Sequence, residues 1–170
     1  MLGSLFRRLT AQPANGVALF EALTAEARRT TWYTKGGVPD TLDGRFAMLA
    51  SVMALALVRI ERDGEDGNRV SVALTERFIE VMESEHRELG LGDPTLGKTV
   101  RKLVGVLGRR TELWRRASAG NTDWNEASRE SLYKGDVAAE ALNHNAGALK
   151  LLWERLLATP LAQLERGRTA

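Results

Sequence analysis

An all-α fold in a single compact, multi-helix domain is what this sequence predicts, and three observations carry the prediction. Apolar residues recur at helical spacing along nearly the whole chain, while the alternation of a half-buried strand recurs nowhere. Glycine, proline and aspartate gather at a few short breaks between those runs, where turns and helix caps need them. The length, 170 residues, suits one domain that hides about 70% of its unfolded surface and therefore builds its own core.

The elements follow in order. Met1, Leu2, Leu5, Phe6 and Leu9 keep helical spacing, with Arg7 and Arg8 beside them. Residues 1–12 are therefore expected to be a short amphipathic N-terminal segment suited to an anionic membrane surface, and residues 13–170 the helical domain. Ala14 to Arg29 places Leu19, Phe20, Leu23 and Ala27 on one face. The next helix is expected from an Asp40 cap, with Asp43 reaching back as in a capping box, to about Arg62. Its apolar residues go nearly all round, so it belongs at the centre. Asp63 to Gly67 breaks the pattern, and Arg69 to Leu89 resumes it with Leu74, Phe78, Val81, Met82 and Leu89 on one stripe. Gly90 is the natural stop.

A further helix should start from an Asp93 cap with Pro94 in its first turn. It buries Leu96, Val100, Leu103, Leu107 and Trp114, and carries Lys98, Arg101, Lys102, Arg109 and Arg116 on the opposite side. Gly120 ends it. Asp123 with Glu126 offers a capping pair for a short helix over Trp124 to Tyr133. The last long helix, about Val137 to Ala158, buries Leu142, Leu149, Leu152, Trp153 and Leu156 before Pro160 interrupts it.

Composition narrows the function classes. The absence of cysteine excludes disulfides, thiolate metal sites and a cysteine nucleophile, and fits a reducing compartment. His86 and His144 stand alone on separate helices, so no metal or other cofactor is expected. No Ser-His-Asp arrangement or carboxylate pair suggests catalysis, and no catalytic residue is assigned. No segment has the roughly 20 apolar residues of a membrane span, and the start of the chain lacks the long apolar core of a secretory signal. The expected place is the cytoplasm, peripheral to the inner face of the membrane. The formal charge of +2 hides a local excess: residues 98–116 hold seven cations against Glu112 alone.

Two junctions concentrate special residues beyond what turns require: Gly37 to Phe46, GVPDTLDGRF, and Glu88 to Lys102, ELGLGDPTLGKTVRK. In the second, Gly92-Asp-Pro-Thr-Leu-Gly97-Lys98-Thr99 matches the phosphate-loop pattern G-x-x-x-x-G-K-[ST]. That pattern binds phosphate only when a buried strand delivers the loop, and the residues before it, Val81 to Leu89, have helical spacing. A turn between two helices explains the same letters.

The stretch from Trp32 through Val38-Pro39-Asp40-Thr41-Leu-Asp43-Gly44-Arg45-Phe46 resembles the signature of the ubiquinol-cytochrome c chaperone family. Arg87-Glu88-Leu89-Gly90-Leu91-Gly92-Asp93, then Gly97-Lys98 and Arg101-Lys102, is similar to that family's second block. The resemblance covers about Ala14 to Ala162. It implies an all-α, non-enzymatic assembly factor for the ubiquinol-cytochrome c reductase, attending newly made cytochrome b with a partner chaperone near the ribosome. Gly37, Pro39, Asp40, Asp43, Gly44, Gly90 and Gly92 are then the structural residues. Arg45, Glu88, Asp93, Lys98, Arg101, Lys102, Arg109, Leu5, Phe6, Arg7 and Arg8 are the candidates for partner or membrane binding. Arg45 stands in a first helical turn, where the dipole disfavours a cation, so an anionic partner is expected: Glu85, Glu88 or Asp93 within the protein, with a client carboxylate or lipid phosphate as the alternative. The basic face suits anionic lipid, an acidic partner or RNA, and RNA is the weakest fit because no aromatics interleave with the charges. A lipid- or ribosome-associated binding module and a small phosphate-loop enzyme are the alternative readings.

Overall fold

The computed structural model of the chain describes residues 16–169, in which there are eight α-helices, one 3-10 turn and no strand. The expected amphipathic segment, with Leu5, Phe6, Arg7 and Arg8, lies outside the described residues. The helices are α1 (Val17–Ala27), α2 (Thr31–Thr34), α3 (Leu42–Ile60), α4 (Gly64–Glu88), α5 (Asp93–Ser118), α6 (Trp124–Leu132), α7 (Ala139–Ala158) and α8 (Leu161–Glu165), with the 3-10 turn Glu61–Asp63 between α3 and α4.

The apolar all-round sequence of α3 puts it at the centre: every residue from Ala50 to Ile60 is buried. It packs most extensively on α5 and is also met by α1, α4, α6 and α7. A continuous core runs from Leu19 and Leu23 of α1 through Met48, Met53 and Leu55 to Phe78, Trp114 and Leu152. Arg59 brings a charge into it with partners in place. It donates from Nε to Leu156 O (3.0 Å) and from Nη2 to Thr159 O (2.9 Å), and forms an ion pair with Asp63. One buried guanidinium thus adds a donor to two carbonyls at the C-terminal end of α7 and ties α7 to α3.

Two helix ends close as their glycines suggest. Gly90 has φ 88°, and Leu91 N donates to His86 O while Gly90 N donates to Arg87 O. This is a Schellman closure, repeated at Gly120 by Asn121 N to Arg116 O and Gly120 N to Ala117 O. The Asp123 cap is present, its carboxylate accepting from Asn125 N and Glu126 N.

Four expectations need correction. Thr41, not Asp40, caps α3: its Oγ1 accepts from Gly44 N at 3.1 Å, and Asp43 makes no return bond but accepts from Lys134 Nζ at 2.6 Å. Asp93 is the first residue of α5 and Gly92 its cap, so Pro94 is second and no side chain caps this end. The break expected at Asp63 to Gly67 lies earlier: the 3-10 turn ends at Asp63, and α4 begins at Gly64, φ 59°, and runs through Gly67. Gly67 is buried where a Cβ would lie 2.0 Å from Ile60 O, so glycine permits the tight return of α4 past the end of α3. Leu89, placed on the buried stripe, follows the helix and is 68% exposed.

Candidate functional site

The two sequence blocks meet in space. The loop from Lys35 to Thr41 enters α3 through a set of constraints that only small residues allow. Gly37 has φ 65°, and a Cβ on Gly44 would stand 1.8 Å from Pro39 O. Glycine at 44 therefore lets the Pro39 carbonyl lie against the first turn of α3. Behind the loop, buried Asn145 of α7 donates from Nδ2 to Trp32 O (3.2 Å), Gly36 O (3.1 Å) and Tyr133 Oη (2.8 Å). Tyr133 in turn donates to Gly36 O at 2.5 Å. A Cβ on Gly36 would fall 1.9 Å from Asn145 Oδ1. Asn145 and Tyr133, on segments far away in sequence, thus set the position of the first block. Sequence reading missed both, because Asn145 stands in the polar run Asn143-His144-Asn145 and nothing local sets it apart from its neighbours.

So held, the start of α3 forms one wall of a groove of about 1160 Å³. α1 and α2 supply Phe20, Thr24 and Tyr33, the end of α4 supplies Val81, Met82, Glu85 and Glu88, and α5 contributes Leu103. Phe46, Leu49 and Val81 make much of its apolar lining. Phe46 is itself braced by Phe78, 6.3 Å between ring centres. At the mouth stand two large apolar side chains in water: Leu42, 75% exposed, and Leu89, 68% exposed. Neither was singled out from sequence as a binding residue, although Leu42 at the outward first position of α3 is an apolar residue where a polar one costs nothing.

Charges ring this apolar interior. Asp40 takes a hydrogen bond from Arg45 Nε at 2.7 Å, which holds its carboxyl below the ordinary value and raises Arg45 above its own. Arg45 therefore has its anionic partner, five residues earlier in the chain instead of at Glu85, Glu88 or Asp93. Asp43 is likewise lowered by the hydrogen bond and charge of Lys134, and feels Lys102 as well. The Tyr33 hydroxyl is pushed up by burial and donates to Ala27 O at 2.9 Å. Glu85 and Glu88 on the α4 rim make no ion pair among the described residues.

Of the residues singled out from sequence, Asp40, Asp43, Arg45 and Glu88 line this groove. Gly37 and Gly44 shape its α3 wall, and Gly90 closes the α4 wall. Asp93 does not reach the groove: its side chain is 90% exposed, 3.9 Å from Arg87. Nothing near Gly92, in space or in dihedral, requires a glycine. Lys98, Arg101, Lys102 and Arg109 lie on the outer face of α5 and also stay out of the groove. The phosphate-loop letters, residues 92–99, join the end of α4 to the first turns of α5 with no strand before them. The backbone cradle of that motif is absent there.

The chain is similar to known proteins in sequence and in fold. The family model described as Ubiquinol-cytochrome C chaperone matches residues 34–170, a span that starts at the first block and includes the second. The crystal structure of the Cbp3 homolog from Brucella abortus is similar, with a TM-score of 0.76 and 25% sequence identity over 98% of this chain and 94% of that one. No curated protein matches the chain.

Proposed function

Because the chain belongs to the ubiquinol-cytochrome C chaperone family, and so serves as an assembly factor for that reductase, we propose that it holds an apolar segment of newly made cytochrome b in the groove between α1, α3 and α4. The single observation that carries this reading is that Leu42 of the first sequence block and Leu89 of the second, distant in the chain, both stand exposed on the lining of one apolar groove.

A groove of this kind suits a helical segment presenting apolar side chains at successive turns. Each leucine-sized side chain covered there contributes about 1.5–3 kcal/mol, so three or four anchors suffice for a reversible hold on a segment that otherwise aggregates. The ring of charges suits the polar ends of such a segment. Asp40 and Asp43 are already paired within the chain, whereas Glu85 and Glu88 face the mouth without partners among the described residues and fit a cationic flank on the client. The role is to hold and deliver, with no bond made or broken. No helix among the described residues is long and apolar enough to cross a membrane. A partner chaperone on another face of the domain is compatible with this arrangement.

The test is co-purification of cytochrome b with Leu42→Asp/Leu89→Asp in cells making the reductase. Both residues are exposed, so the variant should keep its circular dichroism and unfolding midpoint while losing most of the client. Client recovery equal to wild type would show that the groove is not the binding surface.

A further inference from the structure

We propose that the outer face of α5 docks the protein on an anionic phospholipid bilayer. Lys98, Arg101, Lys102, Arg109 and Arg116 fall within about 100° of the helix circumference and extend along about 27 Å of it. All five are exposed, and none makes an ion pair among the described residues. The other cations of α5 show what partnered ones look like: Arg110 donates to Ser131 O at 2.8 Å, and Arg115 grips Glu61 at 2.7 Å. Glu112, the carboxylate on the charged face, is taken by that same Arg115. Asp43 feels Lys102 but takes its hydrogen bond from Lys134. Lys98 and Lys102 are a like-charged pair one turn apart, an arrangement that destabilises an isolated helix and that an opposing negative surface relieves.

The shape of this face selects the occupant. None of the five residues lines the groove, and they form a convex line without aromatic side chains. A plane of phosphate headgroups meets such a line along its whole length, whereas single-stranded RNA gains much of its affinity by stacking bases on aromatics. With no long apolar side chain among the cations, the contact stays at headgroup level and is governed by charge. It is independent of the client: pure protein and pure lipid suffice.

The experiment is sedimentation of the full chain with vesicles of phosphatidylcholine alone or with phosphatidylglycerol at about one lipid in three. Lys98→Glu/Lys102→Glu/Arg109→Glu is compared with Lys35→Glu/Lys150→Glu/Arg166→Glu, which removes the same net charge from exposed positions elsewhere. Wild type and the second variant should bind the anionic vesicles and release in high salt as the charges are screened. The α5 variant should lose about a hundredfold or more in partitioning, from roughly 1 kcal/mol per cation near such a surface. Equal binding of wild type to both vesicle types, retention by the α5 variant, or an equal loss in the second variant overturns the proposal. Tighter binding of wild type to single-stranded RNA than to the anionic vesicles at the same ionic strength, abolished in the α5 variant, also overturns it and assigns the face to RNA.

Discussion

Replacing Gly36 with alanine tests how the first block is held. Gly36 lacks a positive φ, so alanine meets no backbone strain and its whole cost comes from one collision. The added methyl carbon would stand 1.9 Å from Asn145 Oδ1 and 2.2 Å from Nδ2. The amide has to retreat by at least about 1 Å in a close-packed interior. Asn145 has no exposed surface, and its Nδ2 serves Trp32 O, Gly36 O and Tyr133 Oη. Losing two of these bonds at about 1 kcal/mol each, with a buried carbonyl left short of a donor, gives about 3 kcal/mol for Gly36→Ala. Asn145→Ala removes the same bonds and should cost a similar amount. The double variant should cost about 3–4 kcal/mol, well short of the sum, because the methyl group introduced at position 36 occupies space the amide has left. Urea midpoints measure all three, and for a chain of this size 3 kcal/mol corresponds to a Tm lowered by roughly 6–12 °C. Additivity within about 0.5 kcal/mol would mean that the two residues do not couple, and would refute the clamp.

Thr41→Ala should destabilise by about 1 kcal/mol through the lost cap, and Asp40→Ala by less than Thr41→Ala because its partner Arg45 is exposed; equal costs in denaturant unfolding would restore Asp40 as the cap. Arg59→Ala should cost about 3 kcal/mol, since it removes a buried guanidinium's bonds to Leu156 O and Thr159 O together with its ion pair to Asp63, and a midpoint shift under about 1 kcal/mol would show that α7 is fastened elsewhere. Burial raises the Tyr133 pKa, so its contribution to stability is complete below the ordinary tyrosine value and is lost as pH rises through the higher folded value. Tyr133→Phe should therefore flatten the alkaline fall in stability relative to wild type, and an unchanged alkaline slope would contradict that assignment.

Periodicity reveals the helices because burial in this fold is one-sided for every long helix except α3, and α3 announces its centrality by being apolar on all sides. The Asp123 cap is legible because Glu126 stands three residues on, a partner that the adjoining Asn121 and Thr122 lack at that spacing. At Pro39-Asp40-Thr41 two capping residues adjoin, and the choice depends on the close approach of Pro39 O to Gly44, which no local pattern encodes. Gly64 and Gly67 look alike in sequence. One turns the chain with a positive φ and the other is a packing contact against Ile60 O inside a helix, a difference that neither residue's neighbours announce. Charge alone suggests that Arg45 pairs across the fold, but the loop brings back its near neighbour Asp40. The groove itself is illegible: its lining joins the first block to α1, α2 and the end of α4, Leu89 sits on a stripe that ends one residue too soon, and Asn145 works through atoms contributed by α2 and the loop after it.

Site-specific photocross-linking in cells making the reductase tests the central claim most directly, with the probe placed at Leu42 in the groove mouth and, as a comparison, at exposed Lys150, which does not line it. The expected result is an adduct with cytochrome b from position 42, diminished by Glu85→Lys/Glu88→Lys on the opposite wall, and little or none from position 150. An absence of cytochrome b at position 42, or equal adducts from both positions, would contradict the claim that the groove is the client site.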